Sequence, residues 1–368
     1  MNTYTLKRKS KLRKRIIWII VLVILIPFFG YLGMLMRSDA LFVPAPNPDL
    51  DFTRAIRDNV PMSARVIDIA MLGTHNAFSH AITRNSPLDP NDDTVPAQHP
   101  ILLTIAPGTF ARFGRNQLSD ASGLLHRGVR YFDVRISYAD GWYTENTLLS
   151  APLRNYIYEV IEFLQRNPGE LVIFDINDAR FGGAVDFDDM WNYISSVAVN
   201  GQTLFDFVHN PPHHSPLYEL TLYDATLGGQ AGGVIIFART ADYPGSFHYD
   251  RYQNVRRIFH EQRNTADNIA KINAEHQYLQ QGHHDNLMRI SQSQLAPALW
   301  GPELVNSLLG WSYIRANAVH NAAIIDYEGL AEWLTTLPIQ MFGAADSSLG
   351  DFNERIMGVI NEFNRNLR

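Results

Sequence analysis

The chain has 368 residues, a formal charge of −6 and no cysteine. The missing cysteines exclude a disulfide scaffold and a thiol-ligated metal centre. Seven cations crowd into positions 7–15 and leave −13 for the rest, a balance with no basic face for nucleic acid.

The N-terminus reads as a membrane segment. Lys7, Arg8, Lys9, Lys11, Arg13, Lys14 and Arg15 precede Ile16–Met36, 21 residues without a charge. About 20 apolar residues at a rise of roughly 1.5 Å each cross a bilayer. Cations at one end hold that end in the cytoplasm. A cleavable signal peptide has an apolar core of about 7–15 residues and then a small-residue cleavage site. Here the core is longer, Phe28 and Phe29 are bulky, and no A-x-A site follows. The expectation is an uncleaved signal anchor in which Pro27 sits as a tolerated kink. The predicted organisation is a basic cytoplasmic segment (1–15), a transmembrane helix (16–36), a stalk with three prolines (37–50) and one domain (51–368). That describes a single-pass protein with its N-terminus inside and its domain outside the cytoplasm. The chain has no N-x-[ST] sequon, which points weakly to a bacterial cell envelope.

Short apolar runs follow at Val66–Leu72, Val129–Ile136, Trp142–Leu149, Leu171–Ile176, Val234–Ala238 and Ala322–Ile325. Buried parallel strands read this way. Leu153–Arg166 places Ile157, Val160, Ile161 and Leu164 on one helical face before Asn-Pro-Gly stops it. Phe352, Ile356, Val359, Ile360 and Phe363 repeat the spacing. Strands alternating with helices predict a parallel sheet, and the length suits two domains or one α/β barrel. Residues 77–116 and 240–262 are long irregular insertions of the kind that form lids.

In a barrel of parallel strands the C-terminal strand ends converge on one mouth. The apolar runs end at Gly73-Thr74-His75-Asn76, Phe132-Asp133-Val134-Arg135, Asp175-Ile176-Asn177-Asp178 and Asp326. Convergence would gather His75, Asp133, Arg135, Asn177 and Asp326. Any one of them alone reads as a cap or turn residue; four strand ends together read as a site.

The segments MLGTHNAFSH (71–80), NQLSDASGLLHRGVRYFDVRI (116–136), DGWYTENTLLSAPL (140–153) and EVIEFLQRNPGELVIFDIND (159–178) resemble the catalytic barrel, or X domain, of phosphatidylinositol-specific phospholipase C and its bacterial relatives. The family pattern is a strand ending in G-T-H-D/N, a Q-L-x-x-G-x-R-x-x-D-x-R segment, an H-G-L element, and a helix closed by N-P-x-E before a strand. The likeness covers 61–178 and thins to VIIFAR (234–239) and AAIIDYEG (322–329), where late barrel strands should lie. It implies a distorted (β/α)8 TIM barrel. It also implies cleavage of the phosphodiester of phosphatidylinositol, or of a related phospholipid or glycolipid, through attack by the inositol 2-hydroxyl. The partners implied are a lipid headgroup and a membrane.

The resemblance places His75 as the base, a role suited to a side chain with an ordinary pKa of about 6.5. A carboxylate on its other ring nitrogen would orient it, and Asp326 is the candidate. Arg135 offers bidentate, permanently charged donors for the phosphate, with Asp133 orienting it or its surroundings. Asn76, Asn146 and Asn177 are candidates for binding and support. Calcium-dependent members use an Asn after the histidine, two acids one residue apart, and a later acid. Here those positions hold Asn76, Asp133, Arg135 and Asn177. Calcium takes about 6–8 oxygen ligands, and Arg135 puts a fixed cation in their midst. The expectation is therefore no cofactor, with calcium disfavoured by Arg135.

One departure bears on catalysis. The family's H-G-L element carries a histidine that acts as general acid, but YTENTLL puts Asn146 and Thr147 there. A general acid is worth roughly 10²–10⁴-fold, and asparagine has no proton to give. Glu145, His80 or a loop histidine could supply the proton, or the leaving group could need none. Alternatively, the barrel is catalytically degenerate and binds a lipid headgroup or an envelope partner. A phosphodiesterase for another polyol headgroup is a further reading. Asn76 is a milder departure, because metal-independent members usually carry an acid there.

Other features read more simply. The pairs His213-His214 and His283-His284 make poor bidentate ligands. The stretch Phe247, His248, Tyr249, Tyr252, Arg256, Arg257 and Phe259 rims the mouth or forms a partly buried loop. Trp191, Trp300, Trp311 and Trp333 read as core.

Overall fold

The computed structural model describes residues 3–37, 45–93, 107–183, 185–212, 215–239, 247–258, 262–283, 286–296, 312–347 and 349–367. Its strands are β1 (Met71–Thr74), β2 (Val129–Tyr138), β3 (Trp142–Asn146), β4 (Leu148–Pro152), β5 (Leu171–Arg180), β6 (Ala198–Val199), β7 (Gln202–Thr203), β8 (Gly233–Ala238), β9 (His248–Asp250), β10 (Val255–Ile258), β11 (Met288–Gln292) and β12 (Ile339–Phe342). Eight lie side by side in the order β10, β11, β12, β1, β2, β5, β8, β9, every pair parallel. Spatial order follows chain order, as successive βα units wind in a barrel. The eight strands make an α/β half-barrel of parallel strands, which is the expected TIM-type architecture in its coarser form. Its distortion is a seam: among the described residues β9 and β10 share no ladder, and one helical turn, Arg251–Asn254, connects them.

The two-residue period of the strands divides the apolar residues between two layers. Met71, Tyr131, Ile173, Ile235, Phe237, Ile290, Ile339 and Met341 share one buried cluster. Leu72, Phe132, Val134, Val172, Phe174 and Ile236 join another with the helix residues Ile157, Val160, Ile161, Ile356 and Ile360. Asp133, Arg135 and Asp175 have the same parity as the first set and so face the barrel interior.

Helices Leu153–Arg166 and Phe352–Arg365 lie where their periodicity predicts. Asn167 ends the first: its side-chain amide and its backbone N–H both donate to the Phe163 carbonyl, at 2.9 and 3.0 Å. The first predicted strand is shorter than expected, because Val66–Asp68 is a 3-10 turn. Trp142–Leu149 is two strands. Thr147, at φ 64°, breaks it into an antiparallel hairpin that pairs with the far end of β2. Ala322–Ile325 is not a strand but the last turn of helix Tyr313–Ile325. Among its buried residues, Tyr313, Ile314, Asn317, Ala318, Asn321, Ile324 and Ile325 recur every three or four positions, with His320 beside them, which is the helical period. The strand sought there is β12.

A buried ion pair closes the N-terminal end of the barrel. Arg130 Nε donates to Glu170 Oε2 at 2.7 Å, and the two side chains are 1% and 0% exposed. Arg130 also donates to the carbonyls of Leu125, Val129 and Phe52. Glu170 accepts from the N–H groups of Ile56 and Arg57 at 3.2 and 2.9 Å. The pair thereby clamps residues 52–57 under β2 and β5.

Thr3–Arg37 is one helix with Pro27 inside it. Its side chains are described only over 13–30 and at 33, and among the described residues no helix is long and apolar enough to cross a membrane. The span expected at 16–36 thus rests on the sequence. Trp191 and Trp333 are core, as expected. Trp300, Trp311, His213, His214, His284, Phe259 and residues 38–44 of the stalk lie outside the described residues.

Candidate active site

The site lies over the C-terminal ends of β1 and β2. After Thr74 the chain turns sharply: Asn76 and Phe78 have φ of 45° and 68°. Asparagine tolerates that left-handed region better than most residues. His75 is fixed at both backbone atoms. Its N–H donates to Phe342 O at 2.9 Å, and its carbonyl accepts from Gln117 Nε2 at 2.8 Å.

The ring of His75 is oriented by Asp133, whose Oδ2 lies 2.8 Å from Nδ1. An ionised carboxylate only accepts, so this bonding assigns the proton to Nδ1 and leaves Nε2 with a lone pair. Burial lowers the His75 pKa to about 4; Asp133 opposes the shift, and Arg135 and Arg257 add to it. The imidazole is therefore neutral at neutral pH, the form a base requires. Burial alone would raise Asp133, but Arg257 and His75 outweigh it and hold the carboxyl well below its usual range. Arg257 Nη1 and Nη2 grip both carboxylate oxygens at 2.9 Å, the bidentate geometry that only a guanidinium offers. Gln292 on β11, with its amide oriented to suit the surrounding donors, accepts from Arg257. Beneath this pair Asp175 accepts from the Tyr131 hydroxyl and from Arg251 Nε, the latter at 2.8 Å.

Arg135 is the next inward residue of β2. Its Nε is buried without a hydrogen-bond partner. Asn76 Oδ1, Glu145 Oε1 and the Tyr313 hydroxyl are unpartnered too. The Tyr313 ring centroid is 6.3 Å from that of His75, and Arg135 acts electrostatically on Tyr313, His75 and Glu145. Buried polar groups are nearly always satisfied. Four unsatisfied ones around His75 and Arg135 mark a place shaped for a polar ligand.

The remaining expectations divide. Asn177 sits at a β-bulge opposite Val134 and Arg135 and accepts weakly from Arg239 at 3.5 Å. Asn146 is not directed at a ligand: its amide donates to Gly114 O and Asn116 Oδ1, tying the hairpin to the 77–116 segment. His80 packs edge-on to Tyr156, with its Nδ1 3.3 Å from that hydroxyl. Asp326 is not at the site. It caps helix Tyr313–Ile325, is 69% exposed and pairs with Arg355 at 2.6 Å. The orienting carboxylate is Asp133, and Arg135 is free of it.

Arg257, Asp175, Arg251 and Tyr313 were not anticipated in these roles. For the first, alternation was the available signal. In the strand Val-Arg-Arg-Ile, Arg256 faces out to Glu275 at 2.9 Å and stacks on Tyr278, so Arg257 must face in.

A calcium ion does not suit these residues. Both oxygens of Asp133 are engaged by Arg257, a guanidinium occupies the third ligand position, and the fourth is an amide. Among the described residues no three His, Asp or Glu side chains are grouped to hold a metal.

No family model matches the chain. The cattle (Bos taurus) PI-PLC X domain-containing protein 3 is 31% identical over 121 residues, which is 31% of this chain and 38% of that protein. The variant-surface-glycoprotein phospholipase C of Trypanosoma brucei brucei is 33% identical over 118 residues, 29% of this chain and 33% of its own length. The chain thus spans well under half the length of the curated relatives it matches. A phosphatidylinositol-specific phospholipase C from Staphylococcus aureus has the same fold, with TM-score 0.58 at 10% identity over 84% of this chain and 97% of that one. The enzyme of that name from Listeria monocytogenes gives 0.50 at 12% identity, over 85% and 99%. In sequence over one stretch and in fold over most of its length, the chain resembles the phosphatidylinositol-specific phospholipase C X domain.

Proposed function

We propose that this protein is a membrane-anchored phosphodiesterase that cleaves phosphatidylinositol, or a related inositol-containing glycolipid, without a metal. The observation that carries the reading is the His75–Asp133 pair facing an Arg135 whose buried Nε has no partner. His75 Nε2 takes the proton of the inositol 2-hydroxyl. The freed oxygen attacks phosphorus, and the bond to the diacylglycerol oxygen breaks. Asp133 holds the tautomer and stabilises the imidazolium that forms, as in hydrolytic triads. Arg135 carries the phosphoryl charge that a cation would otherwise bear. Asn76 and Asn177 flank it as polar support. The anchor reading draws on the uncharged run 16–36 and on its helical backbone, where Ile17, Trp18, Val23 and Ile26 are 59–66% exposed. A continuous apolar surface of that kind calls for a cover, and lipid supplies it.

Full-length protein in mixed micelles is expected to release diacylglycerol and inositol cyclic phosphate from phosphatidylinositol at a rate that a calcium chelator leaves unchanged. No release from phosphatidylinositol or from a panel of glycerophospholipids and glycosylated inositol lipids would favour a binding barrel. Inhibition by the chelator would overturn metal independence.

A further inference from the structure

We propose that Glu145 is the general acid that protonates the leaving oxygen, in place of the histidine this chain lacks; the assignment rests on the phosphodiesterase reading above. Strand register positions it. β3 pairs with β2 as Ile136 opposite Thr144, so Glu145 stands opposite Arg135. Directly opposed residues of an antiparallel pair project to the same face, which sends the Glu145 side chain inward with Arg135. At Arg135–Ser137 the other edge of β2 is taken by β5, so β3 occupies the edge that β1 occupies lower down. β1 reaches Thr74 opposite Phe132, and His75 follows beside Asp133. Base and carboxyl therefore succeed each other along one edge of β2. They are two residues apart, about 7 Å at the rise of a strand, with Arg135 alongside.

Burial keeps the proton on Glu145 against the guanidinium groups beside it. It is 3% exposed; Oε2 accepts from the Thr147 N–H at 2.9 Å, and Oε1 has no hydrogen bond, with Arg180 Nε 3.9 Å away. Arg135 faces it from β2. Arg180 on β5 is shared: it bonds Asp92 at 2.7 Å and Asp178 at 3.0 Å, and it lies 3.9 Å from both Asp89 and Glu145. One guanidinium beside four acids leaves Glu145 at the margin. Burial raises its pKa to about 7, opposed by Arg135 and Arg180 and assisted by Asp89. The ledger of the step closes. The 2-hydroxyl proton goes to His75 Nε2, the new P–O bond forms and the old one breaks. The Glu145 proton passes to the departing diacylglycerol oxygen. Solvent then returns a proton to Glu145 and removes one from His75.

The test compares Glu145→Gln with the parent, as full-length protein, on phosphatidylinositol and on an inositol nitrophenyl phosphodiester, whose leaving group needs no acid. Phosphatidylinositol cleavage should fall roughly 10²–10⁴-fold, and nitrophenol release far less, which also shows that the variant folds. The parent's kcat/KM should fall as pH rises through about 7, and the variant should lack that limb. Equal effects on both substrates, or an unchanged alkaline limb, would overturn the role of Glu145 alone. In that case His75→Ala would still abolish both reactions. A parent inert on both substrates would overturn the phosphodiesterase reading and the acid with it.

Discussion

Replacing His75 with alanine is expected to lower phosphatidylinositol cleavage by roughly 10²–10⁴-fold, the usual worth of a general base, with little change in thermal stability. The stability half follows from the geometry. Asp133 keeps both of its bonds to Arg257 when the imidazole is gone, so no buried charge is stranded. The pH profile adds a signature. A base must be deprotonated, and the His75 pKa is depressed to about 4. Parent activity should therefore rise with pH near 4 and already be on its plateau at the ordinary histidine pKa. Activity of His75→Ala equal to the parent, measured by diacylglycerol release, would remove the base.

Arg130→Met is expected to show the largest loss of stability. Removing one partner of a buried ion pair strands the other charge and costs about 3–5 kcal/mol. Here Glu170, at 0% exposed, would keep only the N–H groups of Ile56 and Arg57. Urea unfolding followed by tryptophan fluorescence reads this directly, since Trp191 and Trp333 are both buried. The double variant Arg130→Met/Glu170→Leu should lose less than either single change, because no charge is then left in the interior. A single variant as stable as the parent would mean that the pair contributes nothing to the clamp.

Much of this was legible in the sequence, for identifiable reasons. β2, β5 and β8 were readable because each opens on a near-continuous apolar run, and helix Leu153–Arg166 because its helical period is unbroken. His75, Asp133 and Arg135 followed because strand ends converge whatever their spacing in the chain. The Arg and Glu of the G-x-R and N-P-x-E elements were visible too, but as Arg130 and Glu170 they form a structural pair at the opposite end from the site. Asp326 failed because four apolar residues, Ala322–Ile325, fit one helical turn as well as a strand, and only the burial pattern upstream decides. Arg257 was obscure because β10 is four residues long and carries two adjacent arginines, so its apolar content gives no strand signal. Glu145 was visible only as one alternative among several. Its burial depends on the Asp89–Asp92 segment folding over it, which local sequence does not encode.

The seam between β9 and β10 has a consequence for how this barrel tolerates change. Strands inside a closed barrel are held by a ladder on each side; among the described residues these two have one each, so the seam must be secured otherwise. Arg257 reaches from β10 across the interior to Asp133 on β2, and Arg251, in the turn between the two strands, reaches Asp175 on β5. The carboxylate that orients His75 is thus also a strut across the seam. Asp133→Asn would slacken both at once. In the proposed mechanism catalysis and closure share one residue, so the barrel would not lose the first by that route while keeping the second.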